Sequence, residues 1–492
     1  MTAATRSTLL ALLAAAVLLG VRLGAGSLAS TDDAVYAQVA REMAARGDWL
    51  EMRWMGGLIF EKPPLLFWCL RVSAALGGFS TLAIRLPSVL AGLVALLYTA
   101  LLARAALPEA ARRHGPALAV LLTLATVTFT MTTRRPITDP FLTAAVLATL
   151  WHGARACLAE RPARHAAFTG LAAGLGVLAK SVAMGPAVLA VTLALALRRR
   201  PRALALAAVT GLLVAGPWYL VMGLRHGADF WQTALGYHVV ARAGHALVGH
   251  ADPAYYAVTA WEQEGALAPL LLLGALAAAW RLRRLEPPQR LALALVLATA
   301  ALTALALQLS ATRLFHYLMP LAPLSAVATI AALGPLAARP AVALATAALA
   351  ALAFVVGPLS PHILRPDYAP ESRALGEALG PAMPPDARLI IWEDYDPALI
   401  WYAARPARLW TEQPAIYALH RSIDMMRRAD AVVLADADAR RALIDAPEPI
   451  VAVAPLERAS GLDALAREAL PRRRVEVAEA ANHRILRLGA HR

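Results

Sequence analysis

The sequence predicts a polytopic α-helical membrane protein of about eleven transmembrane helices followed by a C-terminal soluble α/β domain. Three observations carry that reading. Of the 492 residues 59% are hydrophobic but only 6% aromatic, so the apolar content is mostly Ala, Leu and Val. Windows of roughly 20 apolar residues, the length that crosses a hydrocarbon core of about 30 Å, recur from residue 8 to residue 359. Beyond residue 365 the apolar runs shorten to strand length (RLIIW, LIWYAA, AVVLA, IVAVA, RRVEVAEA, RILRL) and alternate with amphipathic stretches such as SRALGEALG and LDALAREAL.

The expected spans are 8–29, 82–103, 115–132, 140–157, 165–179, 182–197, 203–223, 263–280, 290–310, 317–337 and 340–359. The first resembles a signal peptide in its Arg6 and apolar stretch, but it runs straight into a polar motif at Asp32 and reads as an uncleaved helix. The formal charge of +14 would point to nucleic acid in a soluble protein. Here the arginines sit in the short connections between spans, where they set topology, so no nucleic-acid partner is expected. With the N-terminus in the cytosol, Arg6, Arg104, Arg112, Arg113, Arg155, Arg161, Arg164, Arg198 to Arg200, Arg202, Arg281, Arg283, Arg284, Arg290 and Arg339 all fall inside. The opposite face then receives 30–80, 133–139, Lys180–Ser181, 224–262, 311–316 and the tail. This gives a transmembrane domain over 1–365, with outer loops 30–80 and 224–262, and an extracytoplasmic α/β domain over 366–492. Cys69 and Cys157 fall near opposite faces, which argues against a disulfide or a Cys-based metal site.

Every group suited to chemistry lies on that outer face. STDDAVYAQVAREM follows the first span, with Ser30 or Thr31 placed to cap a helix and Asp32 and Asp33 at its positive end; Tyr36 stands one turn on from Asp32. Capping alone would account for the acids. WMGGLIFEKPPLLFW follows, where Pro63 and Pro64 hold Glu61 and Lys62 extended and present Lys62 as a compact charge suited to phosphate, or as a snorkelling lysine. Of the 47 Lys plus Arg only Lys62 and Lys180 are lysines, so these two positions require an ammonium rather than any cation. Asp139 and Lys180 are ionisable groups at membrane depth, functional suspects by that fact, although Arg134 and Arg135 offer Asp139 a structural pairing. His238, Arg242, His245 and His250 occupy the large outer loop in a spacing that fits no standard zinc pattern. Arg242 reads as a phosphate contact. ATRLFHYLMPLAP places Arg313, His316 and Tyr317 at the mouth of a span, Tyr317 fitting an interface anchor as well as a site residue.

Taken together these segments resemble the GT-C superfamily of membrane glycosyltransferases, specifically its aminoarabinose-transferase and protein O-mannosyltransferase group. The resemblance rests on DDAVY after the first span, EKPP at Glu61 to Pro64, Asp139, the G-L-x-x-L-x-K stretch Gly174 to Lys180, His238 followed by Arg242, and the Y-x-x-P-L-x-P stretch Tyr317 to Pro323. Relatives usually carry Asp-Glu where this chain has Asp32-Asp33. The resemblance implies a GT-C fold and inverting transfer of a sugar from a polyprenyl-phosphate donor to a lipid, glycan or protein acceptor outside the inner membrane. On that footing Asp32, with Asp33 and Asp139, would be catalytic. Lys62, Arg242, Tyr317, Tyr36, Lys180 and Glu61 would bind substrate, and a divalent cation near Glu61 and His238 is allowed. The implied arrangement gathers these groups around a lipid phosphate. A lipid flippase is the alternative, since intramembrane charges serve transport too.

Overall fold

The structure is a computed structural model that describes residues 3–234, 236, 252–422 and 431–491. In the first half of the chain the elements are α1 (Ala3–Gly20), α2 (Asp32–Ala45), the hairpin β1 (Met52–Trp54) and β2 (Gly57–Ile59), α3 (Leu65–Gly77), α4 (Thr81–Ala106), α5 (Gly115–Ala125), α6 (Val127–Thr133), α7 (Asp139–Leu158), α8 (Ala163–Lys180), α9 (Gly185–Leu197) and α10 (Pro201–Trp231). After these come α11 (Tyr255–Glu264), α12 (Leu267–Arg281), α13 (Pro287–Leu309), α14 (Leu321–Leu333) and α15 (Pro340–Phe354). The tail runs α16 (Pro370–Ala382), β3 (Arg388–Trp392), α17 (Pro397–Ala403), β4 (Ala407–Thr411), α18 (Pro414–Ser422), β5 (Val432–Leu434), α19 (Ala437–Ile444), β6 (Ile450–Pro455), α20 (Ser460–Ala469), β7 (Arg473–Ala480) and β8 (His483–His491). Two compact units result: Met1–Gly24, Lys62–Cys69 and Leu82–Pro366 in one, Ala25–Glu61, Leu70–Thr81 and Asp367–Arg492 in the other.

The first unit is a bundle of apolar helices. Seven described helical runs are long and apolar enough to cross a membrane, or nine if two bent pairs each count once. One run, Ala163–Leu197, spans 35 residues. A straight helix of that length would measure about 52 Å, far more than one crossing. The chain breaks at Ser181, whose φ of 47° is non-helical, and it reverses there. His165 of α8 meets His152 of α7, and farther along Gly176 lies beside Ala145, so α8 runs antiparallel to α7. Met184, just before α9, lies beside Gly176 and Val191 of α9 beside Gly153, so α9 runs with α7. Lys180 therefore sits at the apex of a hairpin. Gly170 and Gly174, a small-xxx-small pair, let α8 approach α10 so closely that a methyl group at Gly170 would strike the carbonyl of Ala207.

Two expected spans differ from a single straight helix. The 115–132 segment turns by 77° at the extended Thr126, and the 263–280 segment turns by 114° near its start, at Gly265, where φ is 55°. Breaks of this kind free backbone amides that an apolar setting cannot hydrate. Glu264 supplies the remedy: its carboxylate accepts from the amides of Val127 at 2.7 Å and Thr128 at 2.8 Å, capping α6 across the bundle. At the other end of α1, Arg134 donates to the carbonyls of Leu19 at 2.5 Å and Val21 at 2.9 Å.

The second unit joins the segment after α1 to the tail. Its six-stranded sheet has the order β5-β4-β3-β6-β8-β7, parallel through β6 and antiparallel at β8 and β7. Of the expected strands, LIWYAA is instead helical as α17, because Asp396 caps it by accepting from the amide of Leu399 and Pro397 occupies its first turn. Those start signals outweigh the β-propensity of Ile400, Trp401 and Tyr402. Ser27 ties the early segment down: its hydroxyl accepts from the amides of Tyr368 at 3.0 Å and Ala369 at 2.6 Å and donates to Asp367. The amide of Leu28 donates to the Tyr402 hydroxyl at 2.8 Å. Arg41 of α2 donates to the carbonyl of Trp401 at 2.7 Å while stacking 3.6 Å from its ring centroid, and burial brings its guanidinium down to about 10 against the charge of Glu42. Ser27→Ala leaves two partly buried amides without their acceptor, so it is expected to destabilise this unit by about 1–2 kcal/mol, read as a lower melting temperature of the purified full chain and faster proteolysis of the tail.

Candidate functional site

Each unit carries its own cluster of chemical groups. In the helical unit Asp139 opens α7 and is 2% exposed. Lys180, at the hairpin apex, places its Nζ 2.6 Å from Asp139 Oδ1 and 4.1 Å from the centroid of the Tyr317 ring. Lys62 and His316 lie close enough to act on Asp139 through their charge. Tyr256 of α11 lies within reach of the charges of Asp139 and Arg313. An ammonium shared by a carboxylate and an aromatic face explains why position 180 is a lysine: a guanidinium fork is wider and flatter. Lys180 is the ion partner of Asp139, while Arg134 serves the end of α1.

In the unit containing the tail, α2 begins at Asp32, which is half-buried, beside Asp33, which is buried. Thr31 holds the cap position without a side-chain capping bond. The Ser30 hydroxyl donates to Asp396 and accepts from the amide of Ala398 at 3.2 Å. The two acids therefore stand at the positive end of α2 without a cap between them and the helix dipole. Tyr36, one turn on, is buried. Glu42 braces the β1–β2 turn by accepting from the amides of Met55 at 3.1 Å and Gly56 at 3.0 Å. Both turn residues have positive φ, 51° and 83°, as a tight two-residue hairpin turn requires. The hairpin then delivers Glu61 two residues past β2. Opposite it stands Tyr395 of the tail, whose phenol is pushed above its ordinary range by loss of water and by the charges of Glu61 and Asp32. Trp54 packs edge-on against the same ring, centroids 6.4 Å apart.

Of the expected site residues, Lys180, Asp139, Lys62 and Tyr317 come together in one unit. Asp32 and Glu61 come together in the other. His238, Arg242, His245 and His250 lie outside the described residues. Among the described residues no three His, Cys, Asp or Glu side chains are grouped to hold a metal ion. Sequence reading passed over Tyr256 and Tyr395. Only the second had a visible cue: the acidic WEDYD at the end of a strand, a position where loops carry function.

Residues 61–220 match the family model for dolichyl-phosphate-mannose-protein mannosyltransferases. The chain is 31% identical over 313 residues to the undecaprenyl phosphate-alpha-4-amino-4-deoxy-L-arabinose arabinosyl transferase of Pseudomonas aeruginosa, covering 60% of this chain and 54% of that one. With the enzyme of the same description from Edwardsiella ictaluri it shares 29% over 256 residues, 50% of this chain and 43% of that one. The chain thus spans about half the length of the curated relatives it matches. Among solved structures it superposes on ArnT from Cupriavidus metallidurans bound to undecaprenyl phosphate, with a TM-score of 0.79 at 18% identity over 97% of both chains. The archaeal oligosaccharyltransferase AglB from Archaeoglobus fulgidus follows with a TM-score of 0.56 at 14% identity, covering 96% of this chain and 72% of that one.

Lys180→Met should leave the buried Asp139 carboxylate without its direct ion partner, with only the more distant charges of Lys62 and His316, and cost about 3 kcal/mol. Adding Asp139→Asn should recover most of that loss, and thermal denaturation of the three purified variants in detergent checks the coupling. The chain is a multi-pass membrane protein with the fold of ArnT from Cupriavidus metallidurans, and in sequence it resembles aminoarabinose transferases and protein mannosyltransferases.

Proposed function

We propose that this protein is an inverting glycosyltransferase that moves a sugar from a polyprenyl-phosphate donor to a lipid, glycan or protein acceptor at the outer face of the inner membrane. The observation that carries the reading is the gathering of Lys62, Lys180, Asp139, His316 and Tyr317 at one end of an apolar helical bundle. Cations with an aromatic neighbour at a membrane-depth site suit a lipid phosphate, and the relatives, named for undecaprenyl-phosphate and dolichyl-phosphate donors, support the choice.

The donor bond breaks with its electron pair on phosphate, so the positive groups serve the departing charge. Lys62, the Tyr317 hydroxyl and Arg242 take that role. Lys180, neutralised by Asp139, holds the shape of the phosphate site rather than supplying free charge, and Asp139 serves by fixing Lys180. Asp32, at the positive end of α2, takes or orients the acceptor proton, with Asp33 and Tyr36 supporting its position. A divalent cation held by Glu61 and His238 belongs to the same proposal and would add positive charge near the phosphate; no step above depends on it. So do the count of about eleven spans, the cytosolic N-terminus and the extracytoplasmic tail, which the arginine distribution supports.

Asp32→Asn and Lys62→Ala are each expected to insert into membranes normally and to lower transfer about 100-fold or more. Transfer of label from undecaprenyl-phosphate-linked aminoarabinose to lipid A in membrane vesicles measures this. Normal glycosylation by both variants would refute the mechanism, and donor movement across the bilayer without transfer would favour a flippase.

A further inference from the structure

Helix α3 is apolar on both of its sides. Leu66, Phe67, Leu70 and Ala74 are buried, whereas Val72, Ala75 and Leu76 are exposed, Val72 by 52% and Leu76 by 87%. An apolar helix face needs an apolar cover. At 13 residues α3 measures about 20 Å, short of the roughly 30 Å that a crossing requires, so it does not span. Its exposed face forms one wall of a groove of about 390 Å³, whose other walls include Trp49, Arg71 and Phe79. Phe79 is held in place: its ring lies edge-on to Trp401 with centroids 6.1 Å apart, and the Arg41 guanidinium stands 5.5 Å from its centroid. Arg71 brings a charge to this otherwise apolar lining. Its guanidinium lies 3.8 Å from the centroid of the exposed Trp49 ring, and its Nη1 donates to the carbonyl of Asp48, while Nε and Nη2 donate to nothing among the described residues.

Two residues past Phe79, at Thr81, begins α4, a helix long and apolar enough to cross a membrane. Two residue steps reach about 7 Å, so the chain itself tethers the groove to the start of a membrane span. We propose that this groove binds a membrane phospholipid, with an acyl chain along Val72, Ala75 and Leu76 and the phosphate on Arg71. One molecule then supplies both things the groove calls for, an apolar cover and an anion. Trp49 and Arg71 are the side chains this boundary selects: an indole suits the level where hydrocarbon meets headgroups, and a guanidinium fork matches a phosphate. A short helix that is apolar outward and carries a cation at its edge lies in the interface plane rather than across the bilayer. None of these residues belongs to the groups proposed for sugar transfer, so the inference stands on the membrane assignment alone.

The test places the photo-reactive amino acid p-benzoylphenylalanine at position 76, in place of Leu76, in the full-length chain. The chain is irradiated in the membranes that carry it, and the peptide around position 76 is weighed by mass spectrometry. An adduct with the mass of a glycerophospholipid is expected there, and none when the same amino acid replaces Val477, which is exposed on β7 of the tail sheet. Adding Arg71→Gln is expected to lower the phospholipid adduct about fivefold, the attraction of one cation for lipid phosphate, while Arg71→Lys, which keeps the charge, stays close to wild type. If Arg71→Gln does not accumulate, the chain with Arg71 intact is irradiated in vesicles of equal parts phosphatidylglycerol and a phosphate-free galactosyl diacylglycerol. The phospholipid adduct should then exceed the other about fivefold. An adduct to a second copy of the chain or to a polyprenyl chain overturns the proposal. So does a phospholipid yield indifferent to Arg71→Gln, or equal yields from the two vesicle lipids, since either result means ordinary contact with bulk lipid.

Discussion

A carboxylate held almost without water needs a partner, and the helical unit is organised around meeting that need at Asp139. Its partner, Lys180, reaches it only because the chain reverses at Ser181 and brings the end of α8 to the start of α7. That reversal depends on close packing: Gly170 and Gly174 let α8 approach α10, Gly153 admits Val191 of α9, and Gly176 admits Met184 in the turn before it. The ion pair in turn sets an ammonium against the Tyr317 ring and within the field that Lys62 and His316 also share. In a low-dielectric setting such a pair contributes little net stability but is costly to break, so it fixes geometry more than it strengthens the fold.

The unit containing the tail solves a different problem. A short amphipathic helix with two acids at its start has little to hold it in place alone. Here the tail supplies the hold: Ser27, Ser30 and Leu28 bond to groups of α17 and the segments before it, and Arg41 stacks on Trp401. The Met55–Gly56 turn, braced by Glu42, then aims the chain toward Glu61. Prolines 63 and 64 stop any helix from forming until Leu65, and Glu61 and Lys62 stand before them in a bend rather than in the extended backbone the prolines suggest.

Much of this was legible in the sequence because each signal is local. Apolar run length marks membrane helices, the break between Lys180 and Gly185 marks a turn, and RLIIW, IVAVA and RILRL form strands as their alternation and β-branching imply. The pairing of Lys180 with Asp139 was less legible, since Arg134 and Arg135 are nearer in sequence; the hairpin is what brings the distant lysine to 2.6 Å from the carboxylate. LIWYAA misled because composition favoured a strand while a capping Asp396 and Pro397 dictated a helix. The bends at Thr126 and Gly265 left little trace, because the glutamate that makes the Thr126 break tolerable lies more than a hundred residues away. Tyr395 had only the acidic WEDYD as a cue, because its neighbours Asp32, Trp54 and Glu61 come from the other end of the chain.

The central claim is chemical: a sugar leaves a polyprenyl phosphate and arrives on an acceptor. Mass spectrometry of envelope lipids and glycans from a strain lacking this gene, beside the same strain complemented with the intact chain, tests it most directly. The account predicts loss of one sugar from a lipid, glycan or protein together with accumulation of its polyprenyl-phosphate donor, both reversed on complementation. Unchanged acceptors and an unchanged donor pool would contradict it.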